Sequence, residues 1–81
     1  MHYIYLIRSI KYPDQIYFGC TQNLKRRLAV HNSGGTFHTA KYRPWEFVVC
    51  LAFKSKDTAI AFEKYLKSSS GRAFANKRFW Q

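Results

Sequence analysis

Residues 24–31 read LKRRLAVH, and at about 100° per residue Leu24, Arg27, Leu28 and His31 fall within one helical arc of roughly 100°. Lys25 points away from that arc and Arg26 lies opposite it. The inward stripe thus carries a guanidinium, suited to an anion, and an imidazole, a group whose ordinary pKa of about 6.5 suits it to proton transfer. A second stretch repeats the pattern, with Ala59, Phe62, Glu63 and Leu66 at i, i+3, i+4 and i+7. Glu63 therefore sits on the shoulder of an apolar face, where an unpaired carboxylate is costly. The other acids have ordinary places: Asp14 in a turn, Asp57 at a helix cap, and Glu46 opening a strand beside Trp45. For Glu63, an ion pair with Arg27 or Lys67 and a functional role stand level on helix geometry alone. Tyr3, Tyr5 and Tyr17 add phenols that singly would be sheet-face aromatics. Arg27 alone could lay its stem over a core, and His31 alone is more often structural. The set says more than its members.

The elements that must position this set can be read along the chain. Residues 2–8, HYIYLIR, are aromatic and β-branched, which predicts a strand with Tyr3 and Tyr5 on one face and Ile4 and Leu6 on the other. Turn chemistry at Tyr12-Pro13-Asp14-Gln15 leads to a second strand over 16–20, so the two form a hairpin. Thr21 is the expected N-cap of the helix that follows, which ends at Asn32-Ser33-Gly34-Gly35. A basic, aromatic loop is expected through Pro44. Residues 45–53, WEFVVCLAF, form the most continuously apolar strand and are expected to be central or best buried, with Trp45 plugging the core. Ser55 or Asp57 caps a helix running to about Ser68, and Ser68-Ser69-Ser70-Gly71 breaks it before a short terminal helix in RAFANKRFW. The order is β-β-α-β-α with a last α, a compact α/β sandwich in which the third strand's pairing stays open.

Composition narrows the function. The 81 residues are expected to form one domain, 1–81, and 47% hydrophobic content supplies a core. No apolar run approaches the roughly 18 residues of a membrane span, and the N-terminus lacks the features of a secretory signal. Cys20 and Cys50 read as a reduced pair, consistent with a cytoplasmic location. Combined with His2, His31 and His38 they match no zinc-ligand spacing. Fourteen Lys and Arg against four acids leave a net charge of +10, which rules out an evenly mixed surface and favours a polyanion. Nucleic acid comes first. An anionic membrane surface comes second, because the basic residues are not gathered on one amphipathic helix.

YIY at 3–5, YFG at 17–19, then NLKRRL and His31 resemble the GIY-YIG nuclease superfamily. The likeness continues through Thr39-Ala40-Lys41-Tyr42-Arg43-Pro44-Trp45 and FEKYLKSSSGRAF at 62–74, so it covers essentially the whole chain. It is most similar to small stand-alone bacterial members, kin to the N-terminal nuclease module of the excision-repair incision subunit. The resemblance implies an α+β fold, a three-stranded antiparallel sheet flanked by two to three helices, bearing a metal-dependent phosphodiesterase site. It places the two motif tyrosines on Tyr5 and Tyr17, the family arginine on Arg27, the position one turn later on His31, and the metal-binding glutamate on Glu63. A final asparagine falls loosely on Asn76. Two positions depart from the pattern. Tyr3 stands where the motif's name has glycine, and Cys20 follows Gly19 where repair members have lysine.

On that basis the expected activity is endonucleolytic hydrolysis of DNA phosphodiesters in repair, recombination or processing. It would be structure-selective, on single-stranded, branched or damaged DNA, with little sequence specificity. With three of the four acids otherwise explained, one Mg²⁺ or Mn²⁺ on Glu63, completed by waters and phosphate, is the expected cofactor. Arg27 would neutralise the phosphate, Tyr5 would order the water or scissile phosphate, and Tyr17 would be the general base, with His31 its rival or a tyrosine-activating partner. A phenol ordinarily titrates near 10, so positive charge must favour its ionised form. Lys25 and Arg26, Lys41 and Arg43 with their aromatic neighbours, and Lys77 and Arg78 form the expected nucleic-acid surface. A protein partner for targeting is also expected. The competing reading is a non-catalytic basic binding module with a degraded site.

Overall fold

The computed structural model describes residues 1–80. In chain order the elements are β1 (His2–Ser9), β2 (Ile16–Thr21), α1 (Leu24–Ser33), α2 (Phe37–Ala40), β3 (Trp45–Phe53), α3 (Lys56–Lys67) and α4 (Ser69–Arg78). The sheet has the order β2-β1-β3 and is antiparallel throughout. It is the three-stranded α+β arrangement that the resemblance implies. No helix among the described residues is long and apolar enough to cross a membrane.

β1, not β3, is the central strand, and Ile4, Tyr5, Leu6 and Ile7 are at most 1% exposed. Alternation along β1 sends Ile4 and Leu6 into a core shared with Phe18, Ala59, Leu66 and Ala75. Tyr5 and Ile7 enter a second core with Trp45, supported by Leu24, Leu28 and Phe47. One face of the sheet is thus covered by α1 and the other by α3 and α4. This corrects the placement of β3, whose unbroken apolar run has another cause. A register shift between Leu6 and Ile7 makes a bulge, so Phe47 pairs with Ile7 but Val49 pairs with Leu6. Trp45 and Phe47 therefore join one core while Val49, Leu51 and Phe53 join the other, and the run reads as apolar although the strand lies at an edge.

Local chemistry sets the helix ends, with three departures from expectation. Asn23, not Thr21, caps α1: its side chain accepts from Arg26 N–H at 3.0 Å, while Thr21 Oγ1 accepts from Asn23 N–H. Gly34 closes that helix with φ 84°, a conformation in which a side chain would be strained. The expected loop after it contains the short helix α2. Ser55 caps α3, leaving Asp57 in the first turn to oppose the helix dipole. The serine run does not delay α4 to Arg72. Ser68 Oγ accepts from Gly71 N–H at 3.1 Å, so it ends α3 and starts α4 in one residue. Gly71 is required there, because a Cβ would strike the Tyr65 carbonyl.

Candidate active site

Docking of α1 through Leu24 and Leu28 brings its basic stripe onto the Tyr5 phenol. Arg27 Nε–H donates to Tyr5 Oη at 3.1 Å, and Tyr5 Oη lies 2.9 Å from His31 Nε2. His31 is wholly enclosed, and its Nδ1 lies 2.8 Å from Thr39 Oγ1, which in turn donates to the Thr36 carbonyl. These partners set one consistent proton order. With Arg27 donating to Tyr5, Tyr5 donates to Nε2, Nδ1–H donates to Thr39, and Thr39 donates to Thr36. Trp45 Nε1–H holds the Thr39 carbonyl at 2.8 Å, fixing the far end of the chain.

Electrostatics agree with this order. Burial raises the Tyr5 pKa above its ordinary value, with the Tyr17 and Glu63 charges adding, against the Arg27 hydrogen bond and charge that lower it. Tyr5 is therefore a neutral phenol at pH 7. Burial, then the Arg27 charge, pushes His31 below its ordinary value, so the imidazole is neutral as well. The Tyr5 hydrogen bond holds the Arg27 guanidinium in its charged form, opposed by desolvation. A histidine that folds neutral must gain a proton when the unfolded chain does not resist one. Stability should accordingly fall as pH drops below about 6.5, because the unfolded state binds more protons there. Urea denaturation between about pH 7.5 and 5.5 is expected to show a steeper acid loss for the parent than for His31→Gln. Parallel curves would remove the neutral-histidine assignment.

Gly19 is the second determinant of this geometry. It pairs with Tyr5 across β1 and β2, and a Cβ there would fall on the Tyr5 phenol. Gly19→Ala is expected to destabilise the fold by about 1–3 kcal/mol, as overpacking does, and to pull Tyr5 Oη off its partners. The check is a lower denaturation midpoint together with loss of cleavage, and an unchanged midpoint would show that β2 can yield.

The remaining residues fall around this centre. Tyr17 is half-buried, with its ring 5.3 Å from that of His31 in an edge-on arrangement. Glu63 comes from α3, on the other face, yet its charge acts on both Tyr5 and Cys20. Its carboxylate pairs with Lys67 at 3.7 Å, with the side chain still 22% exposed. Among the described residues no three His, Cys, Asp or Glu are grouped as a metal cage. One half-buried carboxylate that still reaches solvent is a hard-oxygen donor that fits a largely hydrated Mg²⁺ or Mn²⁺ and does not fit a closed zinc site. Both cysteines are free thiols. Cys20 shares a recess with Lys56, whose charge lowers the thiol pKa against the larger effect of burial, so a cation from α3 stands near this departure from the family pattern.

Asn76 lies apart from the Tyr5 cluster, on α4, in a cleft with Tyr17, Lys67 and Arg72. Of the expected nucleic-acid contacts, Lys25, Arg26, Lys41, Arg43, Lys77 and Arg78 are all exposed. Arg26 shares a surface recess with Arg27, and Lys41 Nζ lies 5.2 Å from the Tyr42 ring centroid. The sequence pattern had no signal for Thr39 as the partner of His31, since eight residues and a helix end separate them. It likewise passed over Lys67 and Arg72 as cleft residues.

Comparison with known proteins follows the same residues. The model of the GIY-YIG catalytic domain matches residues 1–78. Similar proteins include the structure-specific endonuclease subunit SLX1 of Debaryomyces hansenii, 43% identical over 72 residues, covering 79% of this chain and 20% of the relative. The protein of the same name from Candida dubliniensis is 39% identical over 71 residues, covering 79% of this chain and 25% of the relative. That from Podospora anserina is 32% identical, covering 96% of this chain and 27% of the relative. The chain thus spans about a quarter or less of the length of these curated relatives. Because the match spans both strand motifs, the Arg27 helix and the Glu63 helix, the chain belongs to the GIY-YIG catalytic domain family.

Proposed function

We propose that this chain is the catalytic domain of a divalent-metal-dependent DNA endonuclease, acting on branched or partly single-stranded DNA in repair or recombination. The observation that carries the reading is the Tyr5 phenol, held between Arg27 and His31 and within range of the Glu63 charge, in a member of this family. The relatives' name, a structure-specific endonuclease subunit, supports the choice of substrate and a protein partner that directs the domain.

Glu63 would hold one Mg²⁺ or Mn²⁺, which when bound supplies positive charge to the phosphoryl and leaving oxygens. The chain's own residues do the rest. Arg27 spends Nε–H on Tyr5 and presents its terminal nitrogens to the phosphate. Tyr5 accepts from Arg27 and donates to His31, and its remaining lone pair orients the attacking water. With both ring nitrogens engaged, His31 acts as the partner that fixes Tyr5, which leaves Tyr17 as the general base. The water oxygen attacks phosphorus, its proton passes to Tyr17 acting as the phenolate, and the phosphorus–oxygen bond to the departing strand breaks with its electron pair on the leaving oxygen, which takes a proton from solvent. The test is cleavage of labelled flapped, single-stranded and duplex DNA with Mg²⁺ and with chelator. Metal-dependent nicking supports the reading, and none on any substrate with the targeting partner supplied would overturn it.

A further inference from the structure

Beside Tyr17, the edge of β2 and the face of α4 enclose a cleft of about 340 Å³, lined by Tyr17, Lys67, Arg72, Asn76 and Trp80 among others. That volume lies within the usual range for small-ligand sites. On α4, Arg72 and Asn76 stand four residues apart on one face, and Trp80 follows just beyond the helix end, so the three line the cleft opposite the edge of β2. Arg72 donates from Nε to the Lys67 carbonyl at 3.3 Å, which braces the guanidinium at the head of the cleft. Trp80 is braced too. It stacks on Phe18 at 6.2 Å and 29°, its carbonyl accepts from Arg8 Nη2 at 2.9 Å, and the Arg8 guanidinium carbon lies 5.5 Å from its ring. Its indole N–H has no partner among the described residues.

We propose that this cleft holds one unpaired nucleotide of the strand being cut. Lys67 and Arg72 would take its phosphate, the Trp80 ring would pack on its base, and the Asn76 amide would meet the base edge. Two cations at one end and an aromatic face at the other match a phosphate joined to a base. A base still stacked in a duplex does not present its face to such a cleft, so the occupant is unpaired. Lys67 also contacts Glu63, which puts the nucleotide next to the reacting ester. The inference rests on the nuclease reading and gives it a physical source of preference for junctions: a free nucleotide beside the cut.

Binding measured in chelator, without cleavage, separates the two ideas. The probes are a short labelled oligothymidylate and a blunt duplex of random sequence. Arg72→Ala and Lys67→Ala are each expected to weaken oligothymidylate binding about fivefold to tenfold, and duplex binding less than about twofold. Trp45 is buried in the other core, so quenching of indole emission by the oligonucleotide should report Trp80 and vanish in Trp80→Phe. Equal weakening on both probes would reduce Lys67 and Arg72 to a general basic surface and overturn the proposal. Unchanged binding, or no quenching, would overturn it as well. Metal-dependent cleavage by the parent decides the nuclease reading independently of these outcomes.

Discussion

Glu63→Gln is expected to lower Mg²⁺-dependent cleavage by about 10³-fold, roughly 4 kcal/mol of transition-state stabilisation, with the fold and DNA binding retained. The substitution is nearly isosteric and lies on a side chain that is 22% exposed, so packing is hardly disturbed. Among the described residues it removes the carboxylate whose charge reaches Tyr5. It also releases Lys67, and DNA binding in chelator should therefore hold or tighten slightly, because a cation is freed while a negative charge is lost. The decisive measurement is a single-turnover rate on a flapped substrate over a titration of Mg²⁺ and Mn²⁺. A rate within tenfold of the parent would mean that another group holds the ion or that no ion is needed.

The second large effect is expected at Arg27. Arg27→Ala should reduce the rate about 10²- to 10³-fold, the scale of losing one charged donor to a developing oxyanion. The structure gives this residue two tasks, since Nε holds Tyr5 and the terminal nitrogens remain for phosphate. Arg27→Lys restores the charge without the fork, so it should recover little of the loss. Because the phosphate contact strengthens as charge develops, most of the decrease should appear in kcat and less in KM. Tyr5 should also become easier to ionise or harder according to what replaces its partner. Loss of the Arg27 hydrogen bond and charge leaves burial unopposed and raises its pKa further. Full activity in Arg27→Lys would show that charge alone matters and that the Tyr5 contact is incidental.

Much of this architecture follows from short-range patterns. The hairpin, both long helices and the directions of Arg27, His31 and Glu63 on them come from periodicity and turn residues, which depend only on near neighbours. The errors have equally local explanations. Thr21 and Asn23 are both competent caps two residues apart, and only the backbone path selects Asn23. Residues 45–53 read as the central strand because nothing within them marks the bulge, which exists only against β1. Thr39 is invisible for the same reason, since its hydroxyl matters only where His31 lies.

The sequence by itself determined which chemical groups this protein owns, the family it belongs to, and the helical face on which each group lies. Only the tertiary structure decided that Tyr5 is the hub, that His31 is sealed behind it, and that Asn76 stands in a separate cleft beside Tyr17. The reason is that helical and strand periods set directions within an element. Distances between elements come from docking: Leu24 and Leu28 seating α1 on one face of β1, Ala59 and Leu66 seating α3 on the other, and Gly19 leaving space for the phenol between them.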